Sequence, residues 1–121
     1  MNVLVDTNVW VGFFRYGNPL LESLLEDGEV ASHPIVIGEL AMGNLPKRRK
    51  FLSDLMKLER PKTVSWNEIF HMVEDRNLWG RGIQWNDAAI LASAILSNLP
   101  LWTLDKRLAA AAREAGVAWN G

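Results

Sequence analysis

The chain predicts a small α/β fold in three layers, a mainly parallel sheet with helices on both faces. Three observations lead there. Short apolar, β-branched runs at 2–5, 29–32, 101–104 and 117–119 read as strands. The segments between them are long enough for helices and carry apolar residues at helical spacing. No two strands lie close enough in sequence for a tight hairpin, so neighbours must pair through crossovers. At 121 residues and 49% hydrophobic, a single domain over 1–121 is expected to remove about two-thirds of its unfolded surface from water.

The elements follow in order. After the first strand, Thr7 to Arg15 reads as a short helix, and Asn18-Pro19 is a cap followed by a first-turn proline for a second helix, with Leu20, Leu21, Leu24 and Leu25 as its buried stripe. Gly28 stops that helix before the strand at 29–32. His33-Pro34 opens a helix through Met42, Leu45-Pro46 is a hinge, and a basic helix runs from 47 to about 58, with Phe51, Leu52, Leu55 and Met56 as its core stripe. Val64 is assigned a brief strand. Ser65 and Glu68 fit a capping box for a helix to Trp79, which Gly80-Arg81-Gly82 breaks. Trp85 to Leu96 is a helix apolar almost all round, as a central buried helix should be. A strand at Leu101 to Leu104 ends at Asp105, and an alanine-rich helix from Lys106 to Ala115 leads to the last strand at 117–119.

Composition narrows the chemistry. There is no cysteine, hence no disulfide framework, thiolate metal site or thiol nucleophile, and a cytoplasmic setting is the default. The first residues lack a basic leader pattern, and no apolar run reaches the roughly 18 residues needed to span a bilayer, so neither signal peptide nor membrane anchor is expected. The net charge of −1 hides an uneven distribution: seven of the thirteen Lys and Arg residues fall between Lys47 and Lys62. Lys47, Arg48, Arg49 and Lys50 are candidates for docking a polyanion, although taken alone the run reads first as a solvated helix face.

The acids carry the strongest functional signal. Asp6 is the only charge in the first fourteen residues, Glu39 the only one from Val30 to Pro46, and Asp87 the only one from Gly82 to Leu104. A carboxylate in such surroundings is costly unless something pairs with it. Asp6 and Asp105 stand at the carboxyl ends of predicted strands, where an open parallel sheet forms its crevice. Glu39 and Asp87 sit on helices that should turn them toward apolar structure. Each acid also has a structural reading: Asp6 and Asp105 as helix caps, Glu39 as a partner for a base on the next helix. Together the four favour a site for a hard divalent cation, Mg²⁺ or Mn²⁺, rather than zinc, since His33 and His71 lie in unrelated segments and read as structural or surface residues. Such an ion suits hydrolysis of a phosphodiester by in-line attack of a metal-activated water. Thr7, Asn8 and Thr103 are the short polar groups placed to hold the acids or a water.

These pieces, VDTNVW at 5–10, IGEL around Glu39, GIQWNDAAILASA at 82–94 and TLDKRL at 103–108, resemble the PIN-domain ribonucleases, and among them the VapC-type toxins of toxin–antitoxin pairs. They span almost the whole chain in the family's order. The resemblance implies a PIN-like fold, Asp6, Glu39, Asp87 and Asp105 as the metal-binding and catalytic acids, and Thr103 as the polar residue two before the last acid. It further implies Mg²⁺- or Mn²⁺-dependent endonucleolytic cleavage of RNA, a homodimer, and neutralisation by a cognate antitoxin. Where some relatives carry a further acid, Lys106 and Arg107 follow Asp105. The six tryptophans (Trp10, Trp66, Trp79, Trp85, Trp102 and Trp119) read mostly as core residues. Trp85, two residues before Asp87, is singled out as a candidate base contact.

Other readings fit less well. A haloacid-dehalogenase-type phosphatase needs a second aspartate where Asn8 stands. A receiver-like phosphoacceptor domain needs paired acids after the first strand and a lysine ending the fifth. A catalytically inactive RNA-binding module would rest on the basic helix alone.

Overall fold

A computed structural model describes residues 2–121. Its sheet is wholly parallel, with β1 (Val3–Val5) between β2 (Val30–Ala31) and β3 (Leu101–Trp102). Val3 and Leu4 lie beside Val30 and Ala31, while Leu4 and Val5 lie beside Leu101 and Trp102. Single parallel bridges extend the pairing outward, Glu59 beside Ala31 and Ala118 beside Leu101. The position beyond β2 is therefore taken by Glu59, not Val64, and the expected strand at 117–119 shrinks to the Ala118 bridge. The edge at Glu59 holds only one ladder residue because Arg60-Pro61 follows at once, and proline cannot donate to a ladder.

Seven helices pack around this sheet: α1 (Thr7–Tyr16), α2 (Pro19–Glu26), α3 (Pro34–Ala41), α4 (Arg48–Met56), α5 (Trp66–Asp75), α6 (Trp85–Ser97) and α7 (Lys106–Glu114). Their starts follow the sequence signals. The Asn18 side chain accepts from the Leu21 N–H, Pro19 and Pro34 occupy first turns, and Ser65 and Glu68 form the predicted capping box. α5 ends at Asp75 rather than Trp79, because Asn77 takes a left-handed conformation (φ 53°) and the Leu78 N–H turns back to the Val73 carbonyl. That is a helix-closing turn made without glycine, three residues before the break expected at Gly80.

The core is continuous around Leu4, Val5, Trp10, Leu21, Val36, Leu40, Ile90, Leu91 and Leu108, all at most 2% exposed. Helix α6 supplies seven consecutive buried residues, Ala88 to Ala94, as its all-round apolar sequence requires. Two stripe assignments are corrected. Leu20 (51% exposed) and Met56 (54% exposed) face solvent, because α2 and α4 each touch the core along one narrow edge, through Leu21 and through Leu52 and Leu55. Among the tryptophans only Trp10 is fully buried, edge-on to Phe13 and Phe51, while Trp66, Trp79 and Trp85 are well exposed.

His33 is a structural residue of the core. Its Nδ1 accepts the Ile35 N–H at 3.0 Å, capping α3, so Nε2 carries the proton and donates to the Ser93 hydroxyl at 2.9 Å. Burial pushes its pKa below the ordinary 6.5. The stability it contributes is therefore complete above about pH 6.5 and is lost as pH falls through the lower folded value. Ser93→Ala strands a buried ring N–H and should destabilise the protein by about 1–3 kcal/mol in urea unfolding. An unchanged midpoint would show that the pair contributes nothing.

Candidate active site

Strand β1 delivers Asp6 to the carboxyl end of the sheet, and the backbone there turns directly into α1. Asp6 is buried. Its Oδ1 accepts the Thr7 N–H at 2.8 Å, which makes it the cap of α1, while Oδ2 accepts the Thr103 hydroxyl at 2.8 Å and the Asn8 amide at 3.3 Å. Thr103 is the junction of the network. Its oxygen also accepts from the Asn8 amide (3.2 Å) and from the Asp105 N–H (3.1 Å), and the Asn8 Oδ1 accepts the Leu104 N–H (3.0 Å). The ends of β1 and β3 are thus stitched together by three short polar side chains. Thr7, Asn8 and Thr103, named from sequence as supports for the acids, all take part.

The other acids approach from three elements. Glu39, on α3, is exposed and accepts the Thr7 hydroxyl at 2.7 Å; it points into the crevice mouth rather than against apolar structure as expected, because the buried face of α3 belongs to Val36, Ile37 and Leu40. Asp87, in the first turn of α6, is half-buried and accepts the Gln84 N–H at 3.3 Å. Asp105 caps α7, its Oδ1 accepting from the N–H groups of Arg107 (2.8 Å) and Leu108 (3.3 Å). The cap reading holds for Asp6 and Asp105, each of which gives Oδ1 to a helix N–H, while Asp6 Oδ2 is taken by Thr103 and Asn8.

Electrostatically the four form one group. Burial raises the Asp6 pKa above its ordinary value against the lowering by Thr103 and Thr7, and the charges of Glu39 and Asp105 raise it further. Asp87 is raised too, first by burial and then by Asp6 and Asp105. Among the described residues none of the four is in an ion pair; the salt bridges lie elsewhere, at Lys50–Asp54, Lys57–Asp54 and Arg81–Glu114. Arg15, the nearest cation to Asp6 in sequence, does not pair with it. The donor set fits a hard cation in its chemistry, all oxygen and held in excess negative charge without a counter-charge. Among the described residues no three acidic or histidine side chains stand close enough together to hold one metal ion as they are placed.

The residues proposed from sequence for nucleic-acid contact divide. Lys47 and Arg49 are exposed, and Lys47 adopts a left-handed conformation ahead of α4. Arg48 instead lays its fork on the Ala41 carbonyl, Nε at 3.0 Å and Nη2 at 2.8 Å, bracing the α3–α4 loop. Lys50 is drawn to Asp54 four residues on. Trp85 is 40% exposed and leans on Trp66, whose ring stacks in turn on Phe70. The three rings form a surface cluster that single-residue reading did not anticipate, since Trp66 and Trp85 come from different helices.

A three-strand parallel sheet with acids gathered at its carboxyl end is the architecture of a PIN domain, and the PIN-domain family model matches residues 3–114. The chain belongs to this family. It is 44% identical over 117 residues to Ribonuclease VapC32 of Mycobacterium tuberculosis, an alignment covering 96% of this chain and 94% of that protein, so it falls among the VapC-type members. Its fold is similar to the crystal structures of FitAcB from Neisseria gonorrhoeae (TM-score 0.63, 21% identity, 96% and 94% of the two chains) and of PAE2754 from Pyrobaculum aerophilum (TM-score 0.62, 18% identity, 92% and 79%).

The raised carboxylate pKa values fix a sign. A native state that holds more protons than the unfolded chain gains stability as pH falls from neutral, and that gain is complete only below the unfolded value near 3.8. Asp87→Asn removes one repelling charge, so at neutral pH the metal-free variant should equal or exceed the parent in melting temperature, the difference closing toward pH 5. His33 titrates alike in both proteins and cancels. The variant should also show a smaller melting shift on adding Mn²⁺. If Asp87 were a cap alone, its loss would cost up to about 1 kcal/mol and leave the Mn²⁺ shift unaltered.

Proposed function

We propose that the chain is a divalent-metal-dependent endoribonuclease, the toxin of a toxin–antitoxin pair, folded as one domain. The observation that carries this is the group of four carboxylates, unpaired among the described residues, at the carboxyl end of the sheet, in a chain whose relative at 44% identity is named a ribonuclease. Asp6, Glu39, Asp87 and Asp105 would hold Mg²⁺, with Mn²⁺ as substitute. When bound, the ion supplies a water of lowered pKa and neutralises phosphoryl oxygens.

The chain's own residues set the geometry. Thr103 fixes Asp6 Oδ2 and the start of α7 with one hydroxyl, so Asp6 and Asp105 are held as a unit. Asn8 locks the same oxygen and the Leu104 backbone, and Thr7 aims Glu39. With these side chains in fixed rotamers, little reorganisation remains when the phosphodiester arrives. Water attack then breaks one P–O ester bond, leaving phosphate on one fragment and a hydroxyl on the other. A cognate antitoxin would bring a basic side chain to the acids, which among the described residues have no ion-pair partner. A homodimer and a cytoplasmic setting complete the proposal; among the described residues no helix is long and apolar enough to cross a membrane.

Cleavage of single-stranded RNA should stop in EDTA and return with Mg²⁺ or Mn²⁺. Equal cleavage rates in EDTA would remove the metal mechanism. For binding, the free basic residues are Lys47 and Arg49, since Arg48 and Lys50 are otherwise engaged. Lys47→Ala with Arg49→Ala should lower the salt slope of RNA binding by roughly 0.7 per lost phosphate contact. Lys50→Ala should change it less, and an unchanged slope in the double variant would make the run a solvated surface.

A further inference from the structure

A cavity of about 240 Å³ opens beside the acidic crevice, between α1 and the α3–α4 hairpin. It shares Thr7 and Glu39 with the crevice, so whatever enters it lies next to the reacting group. Its sides are apolar: Val11 and Phe14 from α1 face Leu45 and Pro46 from the loop. Phe14 is itself held edge-on by Phe51, ring centroids 4.2 Å apart, so its ring is a fixed wall rather than a mobile one. The loop is equally fixed, by the Arg48 fork on the Ala41 carbonyl. At the rim stands Arg15, exposed and, among the described residues, without an ion-pair partner.

These features describe a small slot lined by a carboxylate, Glu39, and by a cation, Arg15, without an ion-pair partner among the described residues. Its volume lies below the roughly 300–1,000 Å³ of pockets for drug-sized ligands, which suits a single flat heterocycle. An aromatic wall favours stacking, and every nucleobase has a π-face. An anion is attracted to the rim at Arg15, with Lys47 and Arg49 on the helix that follows the loop. A nucleotide matches both features, base to slot and phosphate to guanidinium.

We propose that this cavity is the base-binding subsite for a nucleotide flanking the cleaved phosphodiester, with Arg15 contacting a phosphate of the same strand. The proposal rests on the ribonuclease reading and deepens it, for it assigns the position where substrate preference is set. Recognition would come from fit and stacking, which gives a graded preference among bases rather than strict sequence readout.

The test walks a single abasic residue through a short single-stranded RNA and measures both cleavage with Mn²⁺ and binding in EDTA. At one position next to the cleaved bond, loss of the base should weaken the parent protein's binding and raise KM about tenfold. Leu45→Trp, which fills the slot, should bind intact RNA about as poorly as the parent binds the abasic one and be indifferent to the missing base. Arg15→Gln, on an exposed position that folding does not need, should lower the salt slope and keep the base dependence. If the parent cleaves RNA but no abasic position matters, or if Leu45→Trp keeps the parent's dependence, the subsite is wrong while the nuclease reading stands. If base-dependent binding appears without cleavage, the subsite stands and the nuclease reading falls; if RNA neither binds nor is cleaved, both fall. Leu45→Trp that loses only the cognate antitoxin, with RNA binding and cleavage unchanged, would make the slot a protein seat and overturn the proposal.

Discussion

The bond between the Thr103 hydroxyl and Asp6 Oδ2 joins two strand ends that are 97 residues apart in sequence. Asp6 lies almost wholly out of water, where a carboxylate without donors would have to neutralise or move. Three donors, from Thr7, Asn8 and Thr103, satisfy it on the protein's side without adding a positive charge. The arrangement leaves the carboxylate hydrogen-bonded but not compensated. Hydrogen bonds fix where the charge sits, and among the described residues no ion pair balances it; on the proposed function a cation from solution does.

The sheet makes such a site possible at small size. With a three-residue central strand and two-residue neighbours, the ladders alone offer little cohesion. Cohesion comes from α6, buried from Ala88 to Ala94, and from the side chains of β1, all covered. Because α1, α6 and α7 all start at one end of this frame, their first turns converge, and Asp6, Asp87 and Asp105 are carried there by helix starts rather than by loops. Helix N-termini tolerate negative charge well, which offsets part of the cost of burying these acids.

Much of this was legible in the sequence, and for a definable reason. Asp6, Glu39 and Asp87 stand alone in long uncharged stretches, and Thr103 and Asp105 follow an apolar run; isolation of a charge is visible without any structure. The helix starts were legible as well, since Asn18-Pro19, His33-Pro34 and Ser65 with Glu68 act locally. Pairing and exposure were not. Glu59 rather than Val64 meets β2 because that choice depends on how the chain returns after α4. The end of α5 moved because Asn77 accepts a left-handed turn, which its residue type permits but does not require. Arg48 left the basic cluster because its nearest free acceptor happened to be the Ala41 carbonyl. The crowd of Trp66, Phe70 and Trp85 needed two helices to be placed side by side before it existed at all.

On the proposed function the four acids form one cation site, distinct from the other acidic surfaces of the molecule. Paramagnetic broadening of backbone amide signals by substoichiometric Mn²⁺ tests it directly, because the effect falls steeply with distance from the ion. Signals around Asp6, Thr7, Glu39, Asp87 and Asp105 should broaden first and together, while those of α5, which carries Glu68, Glu74 and Asp75 on an open surface, should stay sharp. Broadening that begins on α5, or that spares Asp6 while touching the other acids singly, would contradict it.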